Sequence, residues 1–134
     1  MNTTMPKIKQ TIFVVDDDLD TLEAMSEILE DFGGYEVRVA KTGQLAIESI
    51  QKVPPDLILL DMKMDGMDGE QVYQILQENP LTCHIPVIFV TGFDNPANVC
   101  KSWNPSVMCS ITKPFNLDDF LAKIKNHLLA VDHN

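Results

Sequence analysis

Short apolar runs alternate with segments of helical periodicity along the whole chain, and this alternation limits the possible folds more than any other feature. Three of the runs are almost continuously apolar: "TIFVV" (11–15), "DLILL" (56–60) and "PVIFVT" (86–91). Such runs are typical of parallel strands that are buried on both faces. We therefore predict three central strands.

Two further runs predict the remaining strands of the sheet. In "YEVRVA", Val37 and Val39 alternate with Glu36 and Arg38, which indicates a less covered strand at or near a sheet edge. The last run, "VMCSIT" (107–112), is interrupted by polar residues. We interpret it as the fifth strand.

The segments between these runs have the apolar spacing of amphipathic helices. The predicted stripes are Leu22, Met25, Leu29 and Phe32, then Val72, Ile75 and Leu76, and finally Leu117, Phe120, Leu121, Ile124 and Leu128. A further helix, "GQLAIESIQKV", ends before Pro54-Pro55, and a short helix is expected between Asn95 and Pro105. Five alternating strand and helix units predict one α/β domain, a doubly wound parallel sheet with helices on both faces.

The composition of the chain disfavours several classes of protein. The 134 residues carry a net charge of -10, which disfavours direct binding to nucleic acids and to anionic membranes. No apolar run approaches the roughly 18 residues of a membrane span, and the N-terminus lacks a secretory signal. The three cysteines are widely spaced and odd in number, so we expect reduced thiols and a cytoplasmic protein.

Polar residues gather where the predicted strands end. Asp16 and Asp17 follow the first strand, and Asp61, Thr91 and Lys113 end or follow the third, fourth and fifth. The carboxyl ends of parallel strands form one edge of a sheet, where ligands bind. Clustered carboxylates favour a divalent cation such as Mg²⁺, while threonine and lysine suit phosphoryl oxygens. The pattern indicates phosphoryl chemistry, with Asp61 as the candidate nucleophile.

The stretch "DMKMDGMDG" (61–69) also resembles the start of a calcium loop, but the complete pattern is absent. Lys63 stands at the third position, where a calcium loop has Asp or Asn, and Val72 stands at the twelfth, where it needs Glu. Asp65 and Asp68 are therefore interpreted as loop or helix-cap residues.

Four motifs together resemble the receiver domain of two-component response regulators: "FVVDDD", "LILLDMKMDGMDG", "VIFVTG" and "ITKPF". The resemblance covers essentially the whole chain. It implies a flavodoxin-like fold with strand order 2-1-3-4-5, and a receiver domain at 11–131 between short tails at 1–10 and 132–134.

The resemblance also implies a role for each site residue. Asp61 would accept a phosphoryl group from a histidine kinase or a histidine phosphotransfer protein. Mg²⁺ would be bound by Asp61, Asp17, the backbone carbonyl of Lys63 and, through water, Asp16. Thr91 and Lys113 would contact the phosphoryl oxygens.

Three positions depart from the family pattern. Asp65 stands where the family generally has proline, and Ser110 stands where many members have an aromatic residue that moves on activation. Trp103 is a candidate substitute for that aromatic. Lys63 puts a cation two residues after Asp61, where it either slows phosphoryl hydrolysis or is simply solvated.

The resulting hypothesis is a stand-alone, phosphorylation-controlled signalling switch with a protein target and no enzymatic activity on other molecules. The alternatives are a haloacid dehalogenase-like phosphatase with an aspartate nucleophile, and a receiver-like binding module that is never phosphorylated. The phosphatase chemistry needs an acid where Lys63 stands. The binding module does not explain why acceptor, acidic pair, threonine and lysine are all present.

Overall fold

The computed structural model describes residues 9–91, 108–112 and 116–132, with side chains for 9–90 and 116–128. The strands are β1 (Thr11–Val15), β2 (Glu36–Ala40), β3 (Leu57–Asp61), β4 (Val87–Thr91) and β5 (Met108–Thr112). The helices in these ranges are α1 (Leu19–Asp31), α2 (Gly43–Lys52), α3 (Gly69–Glu78) and α4 (Leu117–Asp132). The short helix expected between Asn95 and Pro105 falls outside the described residues.

The strands form one parallel sheet in the order β2-β1-β3-β4-β5. This order confirms the predicted flavodoxin-like topology, and it confirms that "YEVRVA" forms an edge strand. Because β1 and β3 are central neighbours, their carboxyl ends come together although they are far apart in sequence. The fold thus brings Asp16 and Asp17 close to Asp61.

Each central strand buries alternate residues on opposite faces of the sheet. On one face, Phe13, Ile58 and Phe89 pack with residues of α2 and α3. On the other face, Val14, Leu59 and Ile88 pack with residues of α1 and α4. Burying each such large side chain contributes roughly 1.5–3 kcal/mol to folding. These two cores confirm that helices cover both faces and show why the central runs are continuously apolar.

Local signals start and stop the helices near the predicted positions. Asp18 and Thr42 are the N-caps of α1 and α2, and each accepts a hydrogen bond from a backbone N–H in the first turn. Past α1, Gly34 has a φ of 73°, a left-handed conformation that favours glycine. The predicted stripe of α1 is wrong at its last member, because Phe32 is the C-cap residue and is 68% exposed.

The arginine of the edge strand faces α2. Arg38 donates hydrogen bonds to the backbone oxygens of Val53 and Ser49 at 2.6 and 3.0 Å and to Ser49 Oγ at 2.8 Å. Its guanidinium carbon lies 5.0 Å from the centroid of the Phe13 ring. The side chain of Arg38 therefore covers the apolar residues at this edge of the core, and its guanidinium group donates hydrogen bonds to carbonyls near the end of α2.

In the part of the chain that the structure describes, every helix is too short or too polar to cross a membrane.

Candidate functional site

The site lies at the carboxyl edge of the sheet, where four strands end side by side. Asp61 is the last residue of β3 and pairs in register with Val90 of β4. Thr91, the next residue of β4, pairs with Thr112, the last residue of β5. The strand register therefore brings the backbones that carry Asp61 and Thr91 together at this edge.

Three carboxylates meet here, as the sequence predicted. Asp16, Asp17 and Asp61 each offer an oxygen, and these oxygens all lie within 4.8 Å of one another. Asp16 is 1% exposed, Asp61 is 7% exposed, and Asp17 faces solvent. Anionic oxygens at this separation repel strongly in a partly buried site, and a hard divalent cation relieves the repulsion. The donor set fits Mg²⁺.

Asp16 is held by backbone groups on both sides. Its N–H donates to the carbonyl of Ala40 on β2 at 3.2 Å, and its Oδ1 accepts from the N–H of Asp18 at 3.0 Å. Asp18 in turn accepts hydrogen bonds from the N–H of Asp20 and the hydroxyl of Thr21. Asp18 thus starts α1 and anchors the loop that carries the acidic pair.

The loop after β3 contacts the loop after β1. The N–H of Asp65 donates to Asp17 Oδ2 at 3.1 Å, across 48 residues of sequence. Asp68 is the N-cap of α3 and forms a capping box with Gln71. The prediction that Asp65 and Asp68 are loop and helix-cap residues is confirmed, and the calcium-loop interpretation has no support in this geometry.

A cleft of about 460 Å³ opens beside Asp17. Its walls come mainly from residues 62–65, and Asp17, Asp68 and Glu70 line the rest. Lys63 is exposed and belongs to this wall. A ligand entering the cleft therefore meets a cation as well as several acids.

The structure brings together three of the predicted site residues by their side chains: Asp16, Asp17 and Asp61. Thr91 is placed by its backbone at the end of β4, and Lys113 lies outside the described residues, as does Trp103. Sequence reasoning missed the hydrogen bond from Asp65 to Asp17. Every residue except proline has a backbone N–H, so the sequence shows only that position 65 is able to donate and not where the donor points.

Comparisons with known proteins agree with this geometry. Residues 12–125 match the sequence pattern of the family described as the response regulator receiver domain. The chain is 35% identical over 118 residues to a probable cyclic di-GMP phosphodiesterase of Vibrio cholerae, a match that spans 88% of this chain and 26% of that protein. It is 27% identical to the DNA-binding response regulator MtrA of Mycobacterium tuberculosis, over 96% of this chain and 54% of that protein.

The fold also matches solved structures. The CheY-like response regulator receiver domain protein of Methanospirillum hungatei superimposes with a TM-score of 0.83 and 32% identity, over 94% of this chain and 98% of that one. The chain thus spans a quarter to a half of the two curated relatives but nearly all of this solved domain. Four strand ends, an acidic cluster and the sequence match converge on one conclusion. This chain belongs to the response regulator receiver domain family, whose members are phosphorylation-controlled signalling switches.

Proposed function

We propose that Asp61 is the phosphoacceptor of this receiver domain and that it takes a phosphoryl group from a phosphohistidine on a partner protein. The observation that carries the proposal is the cluster of Asp16, Asp17 and Asp61 at the end of the central strand. Asp61 is the last residue of β3 and its side chain is 7% exposed. One of its oxygens lies within 4.8 Å of an oxygen of Asp17, which lines the open cleft. A carboxylate held at a strand end next to a cleft supports in-line attack on phosphorus.

The transfer forms one bond and breaks one bond. A carboxylate oxygen of Asp61 attacks phosphorus, the phosphorus–nitrogen bond of the phosphohistidine breaks, and its electron pair returns to the imidazole ring. Asp16 and Asp17 would hold a divalent cation beside Asp61, and Mg²⁺ bound there would neutralise charge on the phosphoryl oxygens. The backbone carbonyl of Lys63 is proposed as a further ligand.

Two more groups complete the proposed site. The hydroxyl of Thr91 bonds one phosphoryl oxygen, and the ammonium group of Lys113 pairs with the phosphoryl charge. The pairing of β4 with β5 supports both assignments, since Thr91 and Thr112 are partners and Lys113 follows directly. We propose 11–131 as the bounds of the domain.

The proposed partners are a sensor histidine kinase or a histidine phosphotransfer protein, with a protein as the downstream target. The net charge of -10 supports a domain that does not itself bind nucleic acid. We propose a cytoplasmic location, because three widely spaced cysteines, an odd number, favour reduced thiols.

Phosphorylation by a small donor tests the proposal. The protein is incubated with acetyl phosphate and Mg²⁺, and its intact mass is measured. We expect a gain of about 80 Da, one phosphoryl group, in the wild type and in Asp31→Asn, an exposed aspartate at the end of α1. The gain should disappear in Asp61→Asn. An unchanged gain in that variant, or steady hydrolysis of phosphate esters by the wild type, contradicts the proposal.

A further inference from the structure

Two exposed residues on different loops are joined by a single hydrogen bond at the rim of the site. The N–H of Asp65, in the loop after β3, donates to Oδ2 of Asp17, in the loop after β1, at 3.1 Å. No other hydrogen bond to the Asp17 side chain is found among the described residues. The orientation of this carboxylate therefore depends on the loop that follows Asp61.

The three carboxylates of the cluster are not held equally. Asp61 is buried, and Asp16 is both buried and bonded to the N–H of Asp18. Asp17 is exposed, so its side chain would be free to rotate away from the other two without the contact to Asp65. A cation bound by all three carboxylates would then have to order the Asp17 side chain, and the lost conformational entropy would lower its binding affinity.

We propose that the backbone amide of Asp65 is a positioning group that holds the Asp17 carboxylate ready for the divalent cation. The inference rests on the proposed function, because it concerns the metal site of that phosphoryl transfer. One oxygen of Asp17 accepts the N–H while the carboxylate stays within reach of Asp16 and Asp61. The bond also places a positive dipole against the acidic cluster, which lowers its self-repulsion before the cation binds.

The identity of residue 65 makes this contact possible. Proline, which the family resemblance places here, has no N–H and cannot make this bond. All residues other than glycine that the structure describes have negative φ, so the backbone at Asp65 has the sign of φ that proline requires. The sign of φ is therefore compatible with proline at this position, and the substitution removes the N–H donor.

Mg²⁺ affinity of the unphosphorylated protein measures the effect. Asp65→Asn removes the charge of residue 65 and keeps its N–H, whereas Asp65→Pro removes both. Isothermal titration calorimetry should give a dissociation constant for Mg²⁺ about fivefold higher in Asp65→Pro than in Asp65→Asn, as expected for one net hydrogen bond. The difference should persist at high salt, because the two variants carry the same charge and differ in the N–H donor.

A second measurement does not depend on the proline variant. Amide hydrogen exchange of residue 65 in the metal-free protein should be slowed by the bond and should accelerate about fivefold in Asp17→Ala, which removes the acceptor. Urea unfolding of each variant serves as the check that the fold is retained.

The outcomes separate the inference from the proposed function. Equal Mg²⁺ affinities of Asp65→Pro and Asp65→Asn, or unchanged amide exchange in Asp17→Ala, overturn the positioning role and leave the phosphoacceptor intact. Absence of any Mg²⁺ binding by the wild type overturns the metal site itself, and with it both proposals. Tighter binding by Asp65→Asn than by Asp65→Pro, with wild-type stability, supports the inference.

Discussion

Gly69, the first residue of α3, packs directly against the backbone carbonyl of Asp61. A Cβ at position 69 would overlap that oxygen and would lie 2.9 Å from the Cα of Met62. The N–H of Gly69 also donates to the carbonyl of Met62 at 3.1 Å. Helix α3 thus begins against the end of the strand that presents Asp61, the proposed phosphoacceptor, and only glycine fits there.

Replacing Gly69 by alanine should damage both stability and the site. The obstructing atoms belong to the backbone, so either α3 or the end of β3 must shift. We expect a loss of about 1–3 kcal/mol in the free energy of unfolding, typical of overpacking. Because Asp61 moves with its strand, phosphorylation by acetyl phosphate should also slow. Urea denaturation and intact-mass time courses measure the two effects.

Gly34→Ala is the matched control for this prediction. Gly34 has a φ of 73°, and no atom lies within 4 Å of the position that an added methyl group would take, so alanine meets strain but no clash. The substitution should cost about 1–2 kcal/mol for the left-handed backbone and leave phosphorylation unchanged. A Gly69→Ala protein that accepts phosphate at the wild-type rate would show that the end of β3 tolerates displacement.

Lys63 is predicted to prolong the life of the phosphorylated state. Its exposed side chain belongs to the wall of the cleft that Asp17 also lines, where a cation would attract phosphoryl oxygens and obstruct water. Lys63→Ala should shorten the phosphoryl lifetime about twofold to fivefold, in line with an exposed ion pair. Loss of the added mass over time provides the rate. Lys52→Ala, an exposed lysine at the end of α2, is the control, and an unchanged lifetime in Lys63→Ala refutes the shielding role.

The pattern of apolar residues was enough to predict the parallel strands and the place of the site, whereas the strand order came from the resemblance to the family. Strands buried on both faces have continuously apolar sequences, as "LILL" does in β3, where every residue is buried. In a parallel sheet, ligands bind at the carboxyl ends of the strands, so the residues that follow each apolar run are the candidate site residues. Asp16, Asp17 and Asp61 follow from that geometry alone, without the resemblance to a family.

The apolar periodicity predicts the wrong burial for some residues, because burial also depends on where a helix ends and on what covers a strand. Phe32 continues the helical spacing of α1, but the helix has already ended at Asp31 and the ring is left exposed. On β2, Val39 is 48% exposed while Arg38 is half-buried against α2. At an edge strand, coverage depends on the neighbouring helix, and a long arginine stem covers apolar surface as well as valine does.

Arg38, the single arginine of the chain, should stabilise the fold through its forked contacts with α2. A lysine lacks the forked donors that reach the carbonyls of Ser49 and Val53 together, and it loses the guanidinium contact with the Phe13 ring. We expect Arg38→Lys to lower the free energy of unfolding by about 1 kcal/mol and Arg38→Met by about 2 kcal/mol. Urea denaturation measures both.

The control for Arg38 is the exposed cation just after β2. Lys41 is exposed, so Lys41→Met removes the same charge from a solvated position, and its effect should stay within about 0.5 kcal/mol. Equal losses in Lys41→Met and Arg38→Met would mean that overall charge, and not the forked contact, sets the stability.

Thr82 should anchor the connection between α3 and β4 through its buried hydroxyl. The side chain is 1% exposed, and its Oγ1 donates to the carbonyl of Leu76 at 2.7 Å. In Thr82→Val that carbonyl keeps only the long bond from the N–H of Asn79, at 3.4 Å. Valine has nearly the same shape, so the expected loss of about 1–3 kcal/mol reflects the hydrogen bond rather than a cavity.

Thr82→Ser provides the complementary variant, because it keeps the hydroxyl and removes only the methyl group. Its cost should be about 0.8 kcal/mol, the value of one buried carbon, and therefore smaller than the cost of Thr82→Val. Both free energies come from urea denaturation under the same conditions. If serine destabilises the protein more than valine does, packing of the methyl group and not the bond to Leu76 holds this connection in place.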